Sequence, residues 1–360
     1  MSKRAVEMQF NWIFILIAGA VILAFFFNVV QKQRTLSEEK LSIKLASQMD
    51  AIFSGAIESK GTIQPLATPK PGIAFSCSDT CVCKYHVGKS GIEFNDKLIF
   101  APPLIKEQDA RAWAVEWKLP FRIANFLMLT NPAIKYYLVY DSANPLSAQA
   151  FQRISKGLPK EINRETISSP SGAGDVSPEG YVQTRFVFIG TSEPDLSNLR
   201  MEFQSEDVSG VWIDDTLEKV VFYEKSDPDR LEFNQYPSSL AGEETAYATI
   251  FAADHMMYNC MMQRAFDKLG AIAGVHEARA RALQETMGAL DTPRLDCVGA
   301  YDPIITSLAN MRQKAVLLGT SFSQEADAQG AGALAGILGV QTELNTQNTN
   351  LIKQNCPEIY

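Results

Sequence analysis

The chain has 360 residues, 46% of them hydrophobic and 21% charged, with a formal net charge of −8 at pH 7. This balance excludes a largely disordered chain, and the lack of clustered Lys and Arg excludes a nucleic-acid backbone as partner. The length beyond the first apolar segment suffices for one large domain or two.

Residues 1–9 form a short tail carrying Lys3 and Arg4. Residues 10–30 are an apolar run interrupted only by the uncharged Asn11 and Asn28. A helix rising about 1.5 Å per residue needs roughly 20 such residues to cross a bilayer, so the run reads as a transmembrane anchor. Its apolar contacts are Trp12, Ile13, Phe14, Ile15, Leu16, Phe25, Phe26 and Phe27. A removable signal is the competing reading, but no small-x-small site closes the run. A literal count of flanking cations, with Lys32, Arg34, Lys40 and Lys44 after the run, points the large domain inward. Glu38 and Glu39 among those cations, the shortness of the tail and the cysteine usage favour the opposite orientation, outside the cell membrane. From 31 to 60 the apolar residues Leu41, Leu45, Met49, Ile52, Phe53 and Ile57 recur at helical spacing, so an amphipathic stalk helix is expected to continue the anchor. The Pro65, Pro69, Pro71 segment ends it.

Residues 61–240 read as a central mixed α/β domain. Expected strands are 121–129, 134–140, 185–190, 199–204, 210–213 and 219–224, with helices over 109–118 and 147–157 and a Ser/Pro/Gly-rich surface loop over 168–180. Residues 241–360 read as a C-terminal helical region: a first block over 243–290 broken near Gly270–Gly274, a second after Asp302-Pro303, and a third over 334–352. These are expected to form a helical hairpin region packing on the stalk. The fold class is therefore α+β, or mixed α/β, with an N-terminal transmembrane helix.

Six cysteines carry the clearest chemistry. Cys77, Cys81, Cys83 and His86 offer a weak zinc set, because a C-x-C strand turns alternate side chains to opposite faces. An even number of cysteines is better explained by three disulfides in an oxidising space. The expected pairs are one within Cys77, Cys81 and Cys83, one joining Cys260 to Cys297, and one tying Cys356 to Cys81 or a near neighbour. The His255, Met257, Cys260, Met261 group has soft ligands for Cu(I), but core packing explains it more simply. Asp254-His255 and His276-Glu277 make no dyad without a third group, because adjacent helical residues diverge. Asp214-Asp215 is a turn first, with Ca²⁺ held together with Asp207 or Glu218 as the rival reading. Gly88-Lys89-Ser90 fails as a phosphate loop, since Cys83 stands where a glycine is needed. No hydrolase elbow, metalloprotease helix or dinucleotide turn is present, so no enzyme, no cofactor and no resident metal are expected. Gly332 and Gly336 make a small-x3-small pair in an apolar stretch too short to cross a bilayer, which points to a close helix contact or an assembly face.

The Lys3-Arg4, Met8-Gln9-Phe10-Asn11-Trp12 start and the Asn355-Cys356-Pro357-x-x-Tyr360 end resemble a set of archaeal, N-terminally anchored membrane proteins that brings no assigned activity. In layout, a basic leader, apolar helix and amphipathic continuation feeding a disulfide-bonded head is similar to type IV pilin-like proteins. The departures from the pilin pattern are the position of Glu7, the missing cleavage site and the large head. The expected function is that of a non-enzymatic, membrane-anchored structural or assembly protein of the cell envelope, with the lipid bilayer, other envelope proteins and a homo-oligomer as partners. The alternative is a ligand-binding or sensory module using strand ends near Thr130–Asn131 or Asp141.

Overall fold

The computed structural model describes residues 3–69, 72–106, 110–178, 180–214, 216–322 and 328–360, with side chains left undescribed at 3–14, 34–36, 321 and 328–333. One helix, α1 (Lys3–Glu58), runs for 56 residues without interruption. Its apolar first part is uncovered among the described residues: Ile15, Leu16, Phe25, Phe26 and Phe27 are each more than half exposed. Trp12, Ile13 and Phe14, expected in the anchor, lie on this helix, but their side chains are outside the described residues. Farther along, Ala46, Met49, Phe53 and Ala56 are buried at steps of three, four and three, one stripe of a helix laid on a core. The stripe differs from the expected one. Leu41 and Ile52 stay exposed, and two alanines replace them at the contact because small side chains let the helix approach closely.

Fourteen strands are described, in three sheets. The first, in the order β1 (Ile63–Leu66), β7 (Ala110–Lys118), β8 (Arg122–Thr130), β5 (Leu98–Phe100), is built on the β7–β8 hairpin, with β5 parallel to β8. The second is antiparallel, in the order β4 (Ser90–Glu93), β3 (Cys83–Val87), β2 (Ile73–Cys77), β6 (Leu104–Ile105). Both receive the stalk, which packs on β3, β4, β7 and β8.

The helix expected over 109–118 is instead β7. Its composition is helical, but Trp113, Val115 and Trp117 recur at period two, and Trp117 stacks on Phe126 of β8 at 5.4 Å. Cross-strand packing of large rings outweighs the helix preference of Ala, Glu and Lys.

The third sheet has the order β10 (Arg164–Ile167), β9 (Ile134–Tyr140), β11 (Gln183–Ile189), β12 (Val208–Ile213), β13 (Lys219–Lys225), β14 (Phe233–Ser239). The first four strands are parallel and the last two antiparallel. Strand β9 is buried from Ile134 to Val139, Lys135 included, because both faces are covered. Helix α2 (Pro145–Gly157) is capped by Asn144, whose Oδ1 accepts the Leu146 N–H at 3.0 Å. It lies on the face of Leu138, Val187 and Val211.

The other face, Tyr137, Phe186 and Phe188, is covered by Leu196, Leu199 and Phe203. The strand expected over 199–204 is therefore absent. The buried Leu196, Leu199 and Phe203 step by three and four rather than two, and residues Met201–Ser205 form a 3-10 turn in which the Lys225 ammonium donates to the Phe203, Gln204 and Glu206 carbonyls.

The C-terminal third is helical: α3 (Glu243–Phe251), α4 (His255–Gly288), α5 (Leu295–Ser321) and α6 (Ala328–Lys353). The expected break near Gly270–Gly274 does not occur. The chain breaks at Ala252–Asp254, where Asp254 Oδ1 accepts the Met257 N–H at 2.7 Å and starts α4 afresh. The glycines serve contact instead. A Cβ on Gly270 would touch Ala315 at 3.6 Å, and one on Gly319 would collide with Asp267, so α4 and α5 lie close together. Helix α5 begins before Asp302-Pro303 and carries Pro303 in its interior. The helical region packs chiefly on the sheets: α4 lies on β2, β5, β8 and β14, and its Lys268 shares a cavity wall with the end of α1.

The end of the chain is fixed to this region. The Tyr301 hydroxyl donates to the Pro357 carbonyl at 2.7 Å, and the Asn348 amide bonds both the Ile359 N–H and the Tyr360 carbonyl. His276 packs against Phe121 at 4.4 Å and Tyr360 at 5.8 Å. Burial holds its pKa below the ordinary histidine value, and Arg279 pushes the same way. The unfolded chain therefore takes up this proton at higher pH than the folded one, so stability falls as pH drops through the window below about 6.5. Replacing His276 by Phe should flatten the decline of the urea midpoint between about pH 6.5 and 5; equal slopes in the two proteins would exclude this role.

Candidate functional site

The cysteines stand in three pairs at disulfide distance. Cys77 and Cys83 face each other across the β2–β3 ladder, with sulfurs 1.98 Å apart. Cys81, in the turn between them with φ 55°, reaches Cys260 on α4 at 2.06 Å, and Cys297 on α5 reaches Cys356 at 2.09 Å. The expected Cys260–Cys297 and Cys81–Cys356 pairs are corrected: the β2–β3 turn lies on α4, and the start of α5 lies beside the chain end.

A zinc set from Cys77, Cys81, Cys83 and His86 does not assemble. Cys81 turns to α4, and His86 projects from the face of β3 opposite Cys83, where its ring lies over Gly91. Asp296 sits beside Cys297 and Cys356, but those sulfurs are bonded to each other and the carboxylate is held by Arg294 at 3.0 Å.

Other expected sites are occupied by the fold itself. Met257 and Met261 are buried, and the Met257 sulfur accepts the Ala101 N–H at 3.4 Å. His255 Nδ1 meets Glu224 at 2.9 Å and its ring stacks on Tyr236 at 3.7 Å, while the neighbouring Asp254 is consumed in capping. Glu277 pairs with Arg281 and Arg312. The Asp214 carboxylate accepts the Glu218 and Lys219 N–H groups and the Thr216 hydroxyl, so it closes a turn; Asp215 is outside the described residues.

Ser147 fills the crevice between the ends of β9 and β11, accepting the Asp141 N–H at 2.9 Å and donating to the Ile189 carbonyl at 2.7 Å. Thr130 bonds Tyr136, and Asn131 bonds the Lys106 carbonyl and the Ala133 N–H. Gly336 is covered by the Lys314 side chain, whose Nζ a Cβ would meet at 2.6 Å, while the side-chain surroundings of Gly332 are outside the described residues.

Beneath the break between α3 and α4 lies Arg185, 3% exposed, donating to the Thr249 carbonyl at 2.9 Å and the Ala253 carbonyl at 3.3 Å. Burial lowers its pKa and raises that of Asp254. A cation at the carbonyl end of α3 satisfies orphan acceptors there and joins the sheet to the helices.

The open polar geometry lies where the stalk meets the head. The Tyr85 hydroxyl donates to the Ala46 carbonyl of the stalk at 2.9 Å. Lys97, 7% exposed, donates to Asp50 of the stalk at 3.0 Å and to Asp96 at 3.2 Å. Burial works against the Lys97 ammonium, but the two carboxylates outweigh it and hold its pKa above the ordinary lysine value. Asn125 Nδ2 donates to Ile57 O at 2.7 Å, capping one of the last carbonyls of α1. Glu116 receives Lys60 at 2.6 Å, Lys118 at 2.7 Å and Arg122 at 3.1 Å, and the hydrogen bonds from Lys118 and Lys60 bring its pKa down to about 2.

These elements enclose a cavity of about 370 Å³ at the stalk–head joint, bounded by the end of α1, β5, β8 and α4. Sequence reasoning missed its residues because they come from four separate segments. The available signals were Asn125 inside an apolar strand and Lys97 directly before Leu98-Ile99-Phe100. No protein-family model, curated protein or solved structure matches this chain.

Proposed function

We propose that the chain is a single-span membrane protein of the cell envelope whose first helix holds a disulfide-bonded head at a fixed distance from the bilayer, on its outer side, for contact with other envelope proteins. The observation that carries this reading is the continuity of α1, apolar and uncovered over 15–30 and packed into the head from Ala46. Ala46 lies sixteen helical steps beyond Val30, so the first packed turn would stand about 24 Å beyond the apolar segment. A tether of this kind raises the effective concentration of the head for its partners, and weak contacts then suffice. The three cysteine pairs favour an oxidising compartment.

The test is alkaline extraction and thiol labelling of the full chain in its native membrane. The chain is expected to stay with the lipid, and all six cysteines to resist a membrane-impermeant maleimide until a reductant is added. Release by alkaline wash, or labelling without reduction, would overturn the assignment. Partner contact is tested separately: a discrete oligomer or complex in mild detergent supports an assembly role, and a monomer with no cross-linked neighbour in native membranes removes it.

A further inference from the structure

We infer that the cavity at the stalk–head joint is a binding site for a small oxyanion that also carries an O–H or N–H donor, such as an α-hydroxy carboxylate or hydrogen phosphate. Two independent observations point there. Asn125 is 5% exposed, its amide nitrogen is spent on the Ile57 carbonyl, and its Oδ1 has no hydrogen-bond partner among the described residues. A buried acceptor left unpaired costs about 1–3 kcal/mol, so a donor entering the cavity gains what the fold leaves unmet.

The second observation is charge. Lys268 and Arg122 line the same space. Lys268 Nζ donates to the Asp96 backbone carbonyl at 2.8 Å, and among the described residues no carboxylate lies within ion-pairing distance of it. Arg122 meets Glu116 at 3.1 Å, a carboxylate shared with Lys60 and Lys118, and Glu58 of the cavity wall at 3.9 Å. Around the joint the cations Lys60, Lys97, Lys118, Arg122 and Lys268 stand against the carboxylates Asp50, Glu58, Asp96 and Glu116, an excess of one positive charge.

Lys97 is engaged by Asp50 and Asp96 and shapes the floor. A carboxylate or phosphate oxygen set between Lys268 and Arg122, with its hydroxyl donating to Asn125 Oδ1, satisfies both demands. The cavity is at the small end of ligand pockets, which fits a compact anion. Because Ile57 belongs to the stalk and Lys268 to α4, an occupant would tie the two together. The inference is independent of membrane insertion.

The experiment is calorimetric titration of the full chain in detergent at neutral pH with four probes: L-lactate and inorganic phosphate, which carry a donor, and acetate and sulfate, which do not. Lactate should bind at least about tenfold more tightly than acetate, and phosphate than sulfate, the factor that one hydrogen bond supplies. Lys268→Gln and Arg122→Gln, both at the rim, should each weaken lactate and phosphate binding about fivefold or more while leaving the melting temperature of the ligand-free protein unchanged. No binding by any probe up to about 10 mM, equal affinity within the probe pairs, or wild-type binding in both variants would each overturn the site.

Discussion

Replacing Cys81 and Cys260 together by alanine should lower the unfolding free energy of the head by about 5 kcal/mol, more than deletion of either other pair. The bridge joins residues 179 apart in sequence, so its absence releases the largest loop into the unfolded chain. The same chain-entropy argument gives about 4 kcal/mol for Cys297–Cys356, which spans 59 residues, and about 2 kcal/mol for Cys77–Cys83, which spans 6. Double alanine replacement avoids a free thiol, and the void left at Cys260, 2% exposed, adds to the cost. Denaturant midpoints of the three double variants give the ranking. If the short Cys77–Cys83 loop proved the costliest to remove, the entropic account would be wrong.

Phe53→Ala should be the most damaging single change on the stalk, costing about 3–5 kcal/mol. Phe53 is fully buried, with the rings of Tyr85 at 5.3 Å and Phe75 at 6.1 Å, so truncation empties the centre of an aromatic cluster. The loss has a second consequence, because this stripe is the means by which the helix grips the head. Limited proteolysis should then cut the variant between residues 46 and 58, where the wild-type helix is protected. Ile52→Ala, adjacent in sequence but 36% exposed, should cost about 1 kcal/mol or less and leave that protection intact. Equal effects of the two changes would mean that the stalk is not docked through the Phe53 face.

The parts of the fold legible in the sequence are those whose signal is local. Strand β9 is a run of aliphatic and aromatic residues broken only by Lys135, set between Asn131-Pro132 and Asn144-Pro145, and α2 has its cap and its closing glycine in place, so both were readable to within a residue or two. Strand β7 was not, since Ala, Glu and Lys suit a helix and only contact with β8 makes Trp113 and Trp117 decisive. The turn at 201–205 and the break at 252–254 were missed for the same reason: each is fixed by what it covers or caps. Of the cysteine pairs, only the bridge within the Cys77–Cys83 cluster was readable from spacing; Cys81–Cys260 and Cys297–Cys356 depend on how distant segments dock. The cavity at the joint draws on residues from 54 to 268, and no motif unites them.

Between residues 31 and 41 the described side chains of the helix are exposed, and contact with the head begins at Ser42, beside Gly88, and Leu45. All three cysteine pairs lie beyond that exposed stretch, between residues 77 and 356. Under the proposed anchoring, a single backbone scission in this stretch would therefore release the head as an intact, covalently cross-linked particle, separated from the lipid-embedded part of the helix.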